Sequence, residues 1–496
     1  MSDTSQNKPS LLRRRILGSA VSLAALGLLP RYAAAATQAN TDLTGRLARY
    51  MAAALAHPLP DTVVSACKHR ILDTFAAMIS GARMRPGVFA TEYVRHLGGT
   101  PEASVVAAGL RVSAAEAAMA NAMCAHADET DDFEPITKAH PGCSAVPAAL
   151  AMAEKNGASG EDFLRAVALG YDLGCRLLQA LGPDLVRNTH RSAEGMSSTF
   201  SALGAAAPLA HLDEQRMRFA ISYAAQQVSG LWSWVNDEDH IEKAFDFAGM
   251  GARNGVMAVT MVESGMTGTP DVLDGTHNLL IALSTAPQPE ALVEDLGARF
   301  YVAETAIKTY SVGYPCQSAL DALLALRKQH DLLPANVRNI VVRLPTDAVG
   351  IVGNSAMPDV NCPHLVAVAL LKGAVSFVDS HNVSLMKDPA VLAIREKIQL
   401  AADASLMDPA APRGAVVEVT LTDGRQVQHH TRVPPGTKEN PLSTEAVGAK
   451  ARDLIAPVLG RMRADRLIDE LSTLEKLDDV RRLRPLWGPH FAGVAS

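Results

Sequence analysis

Between about residue 42 and residue 270, apolar positions recur every three to four residues, the spacing of helices with one buried face. This spacing predicts helices near 42–56, 61–80, 113–125, 144–155, 160–181, 197–210, 213–235 and 249–265. Ser113 with Glu116, and Ser159 with Asp162, read as capping boxes, while Gly182 and Pro183 read as a stop. After Gly265 the period changes. The stretches Thr267 to Pro270 and Asp274-Gly275 are turn signals, and Val337 to Leu344 and Ala415 to Thr422 alternate at period two. Asp423-Gly424 then turns the second run into Gln426 to Arg432, which predicts a hairpin. Helices near 316–329, 363–372 and 388–400 flank these strands, and the helical period returns from Ser443 to Leu474. The pattern predicts a mainly α protein: a large all-helical domain (42–270 with 443–496) and an inserted smaller α+β lid domain (275–440). A cleft between an insertion and its host is a common place for a ligand.

Composition supports the helical reading. Apolar residues make up 48 % of the 496 positions and aromatics only 4 %, so the core is built from Ala, Leu, Val and Met, which pack closely in helices. The six cysteines are scattered with no C-x-x-C spacing, which argues against a zinc ribbon or a redox motif and reads as buried thiols.

The first 36 residues read as a leader: Arg13, Arg14 and Arg15, an apolar stretch from Gly18 to Leu29, then an Ala-rich cleavage site. The stretch is shorter than the ~20 residues that span a bilayer. Paired arginines fit the twin-arginine export signal, so the expected location is periplasmic, or cytoplasmic if the signal is not used. An uncleaved anchor is the alternative, and no stable membrane span is expected after removal. The leader carries five cations against Asp3, so its loss takes the formal charge from −6 to about −10. With no basic stripe and no interleaved aromatics, nucleic acid is not an expected partner.

Candidate chemistry concentrates between Ala125 and Pro147. Asp128, Glu129, Asp131, Asp132 and Glu134 fall within seven positions between His126 and His140, with an apolar helix on either side. A solvated acidic loop is the plain reading. Buried between helices, the same residues would have their pKa values pushed apart, which is what a proton-transfer site requires. Three further segments place polar groups where helices are expected. His190 and Arg191 precede a Gly- and Ser-rich helix start that suits an anion, Lys243 lies before a small-residue helix, and Lys308 leads to Tyr314 at the entrance of a helix near 316. His364 opens the next helix of that domain. Each of these also has an ordinary reading as a cap or a solvated side chain.

The order and spacing of these segments resemble the MmgE/PrpD family, which includes 2-methylcitrate dehydratase, cis-aconitate decarboxylase and iminodisuccinate epimerase. The matching words are Ala125-His-Ala with its acidic run, His140-Pro-Gly, Val146 to Leu150, Gly170 to Arg176, Ala252 to Gly255, and Lys308 with Tyr314-Pro-Cys. The resemblance covers nearly all of 42–480 and implies a helical domain with a smaller α+β lid, a homodimer, and no cofactor. It places the family's acid pair on Glu129 and either Asp131 or Asp132, its loop histidine on His140, and its two lysines on Lys243 and Lys308. Asp128, Asp132, His190, Arg191, Tyr314 and His364 become candidate substrate contacts, His364 standing where the family has tyrosine. Phe133-Glu134 stands where the family often has Thr-His or Thr-Trp, and the gap to His140 is one residue longer, which implies a different substrate from those of the named members.

The expected activity is a dehydratase-like lyase, with epimerase or decarboxylase as alternatives, acting on a di- or tricarboxylate. The lysines would hold carboxylates while His140 or a loop carboxylate moves the proton. Two rivals come from other classes. One is a hydrolase with a metal on Asp128, Asp131, Asp132 and His140, and the other is an exported polycarboxylate-binding protein.

Overall fold

The computed structural model describes residues 42–408, 411 and 413–488. The leader lies outside the described residues. From Asp42 onward the chain forms one compact unit, mainly α, in which apolar side chains gather into two main clusters.

The larger cluster runs from Leu43 to Trp487. Its centre is the helix Ala114–Ala125, whose Ala and Met side chains are nearly all buried, packed on Gly142–Asn156 and on Asp61–Gly81. Small residues permit this closeness. A Cβ on Gly174 would strike Ser201, and one on Gly251 would strike Ser198, so Gly160–Leu181 and Met250–Glu263 both pack tightly against Ala193–Ala206. The late helix Thr444–Leu459 lies on Asp61–Gly81, and Trp487 meets Phe75 at a tilt with ring centroids 5.4 Å apart.

The second cluster belongs to a four-stranded sheet and the helices Gln317–His330 and Cys362–Lys372. Two short strands, β1 (Ala103–Val105) and β2 (Leu110–Val112), pair in the helical region. The main sheet has the order β4 (Ile398–Ala402), β3 (Val337–Leu344), β5 (Ala415–Leu421), β6 (Gln426–Thr431), with β3 and β4 parallel and the other pairs antiparallel. Buried and half-buried side chains alternate along β5, and Gly424 takes φ 90°, the left-handed backbone that the hairpin turn needs.

Several elements depart from the apolar period. The segment expected as a helix over 213–235 stops at Ala225, and a 3-10 turn, Trp232–Asn236, replaces the rest, because Gly230 at φ 146° breaks the helix and packs against Ser192 and Asp246. The helix expected to 400 ends at Arg395, and the residues after it join β3 as a parallel strand. Arg85–Leu97 is an additional helix. Ser113 does not cap with its side chain, and Glu116 pairs instead with Arg253 at 3.0 Å. Ser159 does cap, accepting from the Asp162 N–H at 3.1 Å.

Candidate active site

The acidic segment is buried, not solvated: Asp128, Glu129, Asp131, Asp132 and Glu134 are each no more than 5 % exposed. Five carboxylates withdrawn from water must each find partners, and each finds a different set. Asp128 accepts from the backbone and hydroxyl of Thr130, both at 2.8 Å, and ion-pairs with His381 at 3.1 Å. Asp132 accepts from the Gly142 N–H at 3.1 Å and from the Tyr171 hydroxyl. Burial lifts the Asp132 carboxyl to about 7, although Tyr171 pulls the other way. Glu134 ties its own turn, accepting from the N–H of Ile136 at 3.1 Å and of Thr137 at 2.6 Å. These three brace the loop.

Glu129 and Asp131 converge on the centre. Asp131 Oδ2 accepts from Nδ1 of His126 at 2.9 Å and from Nδ1 of His140 at 3.0 Å, while its Oδ1 lies 3.5 Å from Lys308 Nζ. Glu129 pairs with Lys243 through one oxygen and with Lys308 at 3.2 Å through the other. Burial alone would raise both acids. The lysines around Glu129, and the two histidines and Lys308 around Asp131, outweigh burial and hold both well below the usual carboxylate range. Burial likewise works to lower Lys308, but Glu129 and Asp131 prevail and keep it a cation.

A carboxylate can only accept, so the hydrogen bonds to Asp131 call for a proton on Nδ1 of both His126 and His140, and in the neutral ring Nε2 then carries the lone pair. His140 lines a cavity shared with Glu129, Lys243, Phe133 and Tyr314. His126 is fully buried behind it, stacked on Phe247 at 4.5 Å, with Nε2 unpartnered among the described residues.

Lys243 reaches this centre from an uncommon backbone. It sits in the short helix Ile241–Ala244, which runs into a π-turn, Phe245–Gly249, before Met250–Glu263. The widened turn sets the ammonium over Trp234 and Phe247, 5.2 and 5.1 Å from the ring centroids. Lys308 is fully buried beneath Glu129 and Asp131 and acts as their counter-ion.

Of the residues expected from sequence, Glu129, Asp131, His140, Lys243, Lys308 and Tyr314 come together. Asp128 and Asp132 adjoin them but face other partners, which also dissolves the four-ligand metal set with Asp131 and His140. His190 is exposed, and Arg191 bonds Thr189 at 3.0 Å. The helix they were expected to open is capped by Ser192, and its first turn holds Glu194 paired with Arg187, so a carboxylate already occupies the place read as an anion site. His364 is buried in the sheet unit's core, where burial and then Arg395 lower it to about 4. His126, His240, Arg187 and His381 also lie at the site but are not among the site residues expected from sequence. His126 was visible in the Ala-His-Ala word, and the others carry no local signal.

His126, Asp131 and His140, and separately His126, Glu129 and His240, place possible ligand atoms within 4.8 Å of one another. Lys243 and Lys308 already balance Glu129 and Asp131, so a divalent ion would add two charges to a neutral cluster.

A buried cluster of carboxylates, imidazoles and lysines, carried by the acidic loop, the short Lys243 helix and the loop of Lys308, lies beside the α+β unit of a mainly α fold. Residues 45–292 match the MmgE/PrpD N-terminal domain and residues 310–476 the MmgE/PrpD C-terminal domain. The chain belongs to the MmgE/PrpD family, whose members are generally enzymes: dehydratases, decarboxylases and epimerases. Among the described residues, no helix is long and apolar enough to cross a membrane.

Proposed function

We propose that the protein is a cofactor-independent lyase that eliminates water from an acid, beginning with removal of a proton next to a carboxylate. The observation that carries this reading is His140, oriented through Nδ1 by the buried, ionised Asp131 and lining the cavity beside Lys243. Nε2 of His140 takes the α-proton, and the imidazolium so formed gives it to the β-hydroxyl, which leaves as water as the C–O bond breaks and the alkene forms. The charge that builds on the substrate carboxylate meets the Lys243 ammonium, and Lys308 keeps Glu129 and Asp131 ionised from below. The base becomes a cation next to an anion already in place, so little reorganisation accompanies transfer. Epimerisation would share this first step and return the proton to the other face. Decarboxylation would use the same cation for a different breaking bond.

Incubation with a panel of hydroxy acids and imino diacids in deuterated water, followed by NMR, tests the reading. New absorbance from a conjugated alkene with loss of the hydroxyl is expected. Deuterium at the α-carbon without elimination would assign an epimerase, and tight binding without exchange or turnover would leave a binding protein.

A further inference from the structure

Two kinds of side chain line the cavity. Glu129, Lys243 and His140 are among the polar ones. Among the aromatic ones, Phe133 stacks on Tyr314 with centroids 4.2 Å apart, and Trp234 meets Phe247 edge-on at 4.8 Å. Phe133 also lies 5.2 Å from the His140 ring, beside the proposed base. With Ala306 and Tyr314 it forms a small apolar cluster separate from both main clusters. The Phe133 main chain is held independently of its ring, by reciprocal hydrogen bonds with Ala306 at 2.9 and 2.7 Å.

The lining cations are already matched. Lys243 meets Glu129, Arg187 meets Glu194, and Arg413 bonds Asp347 at 2.8 and 2.9 Å. A tricarboxylate would bring three negative charges to a wall without surplus positive charge, and a carboxylate placed there unpaired is unfavourable. Glu129 is shared between Lys243 and Lys308, so a single substrate carboxylate can be met at Lys243, and apart from Arg187, Glu194, Arg413 and Ser355 the rest of the lining is apolar or aromatic.

We infer that this site takes a hydroxy acid with one carboxylate and an apolar arm of short alkyl or phenyl size, the head at Lys243 and His140 and the arm against Phe133 and Tyr314. The inference rests on the reading that His140 marks the reacting end. Phe133 is the residue that sets the preference for the arm.

The test uses the intact protein with 3-hydroxybutanoate, 3-hydroxyhexanoate and 3-hydroxy-3-phenylpropanoate against citrate and 2-methylcitrate. Binding is read from the fluorescence of Trp232 and Trp234, and turnover from alkene absorbance. Affinity is expected to rise by about fourfold per buried methylene. Phe133→Ala should weaken the phenyl acid by on the order of tenfold while moving 3-hydroxybutanoate by less than about twofold, and Phe133→Leu should retain most of the rise. If Phe133→Ala does not fold, Phe133→Leu and the wild-type series decide. Tighter binding of citrate or 2-methylcitrate than of every monocarboxylate, or an unchanged ranking in the variants, overturns the inference; turnover of those tricarboxylates would leave the lyase reading standing. Affinity that follows the arm without any turnover upholds the inference and removes the lyase reading. Absence of binding by all five acids removes both.

Discussion

Asp131 is the residue on which the site's chemistry depends most, because one carboxylate oxygen fixes two imidazole rings. Replacing it with asparagine keeps the volume but removes the charge and offers an amide donor to one ring, so His140 would lose its defined tautomer. Asp131→Asn is therefore expected to lower kcat by about 10²–10⁴ with a much smaller change in KM, measured by steady-state turnover. His140→Ala should fall in the same range, and a loss below about fivefold would exclude His140 as the base. The double variant should lose little more than the worse single one, since both changes disable one unit. Lys243→Met removes the ammonium that lines the cavity and should cost about 10²–10³ in kcat/KM, with no rescue by raising pH. At this scale much of the site was legible. The acidic word, His140, Lys243, Lys308 and Tyr314 stand out because charged and polar residues interrupt apolar helices. The roles within the word were not legible, since five carboxylates in a row look alike and only their distant partners separate Glu129 and Asp131 from Asp128, Asp132 and Glu134.

At the scale of elements, the short helix Phe377–Ser380 delivers His381 onto the acidic loop, 3.1 Å from Asp128 and 3.7 Å from Asp359. Burial opposes its protonation, but the hydrogen bond and charge of Asp128, together with Asp359, raise it to about 9. A histidine whose pKa is raised on folding adds stability that is full below about 6.5 and lost as pH rises through 9. The contribution is on the order of 3 kcal/mol. Asp359 changes stability in a lower window: burial lifts it to about 6, so the cost of its ionisation builds between about 4 and 6 and stays constant above that. His381→Asn should therefore be less stable than the wild type at pH 6.5, with the gap narrowing by pH 9.5 in urea unfolding. A gap of constant size would show that the ion pair contributes nothing. This contact had no trace in the local pattern, because its partners are far apart in sequence. The long helices and the β5–β6 hairpin were readable from apolar period and the Asp423-Gly424 turn, whereas β4 was not, since a five-residue parallel strand is specified by its neighbour β3. The π-turn at Phe245–Gly249 also lacked a signature, so the final position of Lys243 could not be anticipated.

Across the whole molecule, the helix Thr444–Leu459 does more than complete the larger apolar cluster. Its Lys450 ion-pairs with the buried Asp73 at 2.7 Å and donates to the Thr130 carbonyl at 3.0 Å, joining this late helix, the helix Asp61–Gly81 and the acidic loop. Burial raises the Asp73 carboxyl above its ordinary value even with Lys450 beside it. Removing the ammonium would raise it further. An acid whose pKa is raised on folding costs stability at any pH above its unfolded value, so the deficit of Lys450→Met should grow with pH and fade where Asp73 is protonated. Breaking a buried pair from one side costs about 3–5 kcal/mol, and the lost bond to Thr130 adds about 1 kcal/mol independent of pH. Urea unfolding at pH 8 should show most of that loss, and at pH 4 little beyond the hydrogen bond. Because Thr130 lies between Glu129 and Asp131, the variant should also lose turnover under conditions where it is folded. If it kept full kcat while being destabilised, the helix Thr444–Leu459 would support the fold alone, and the geometry of the acidic loop would be set by Asp132, Glu134 and His381 without it.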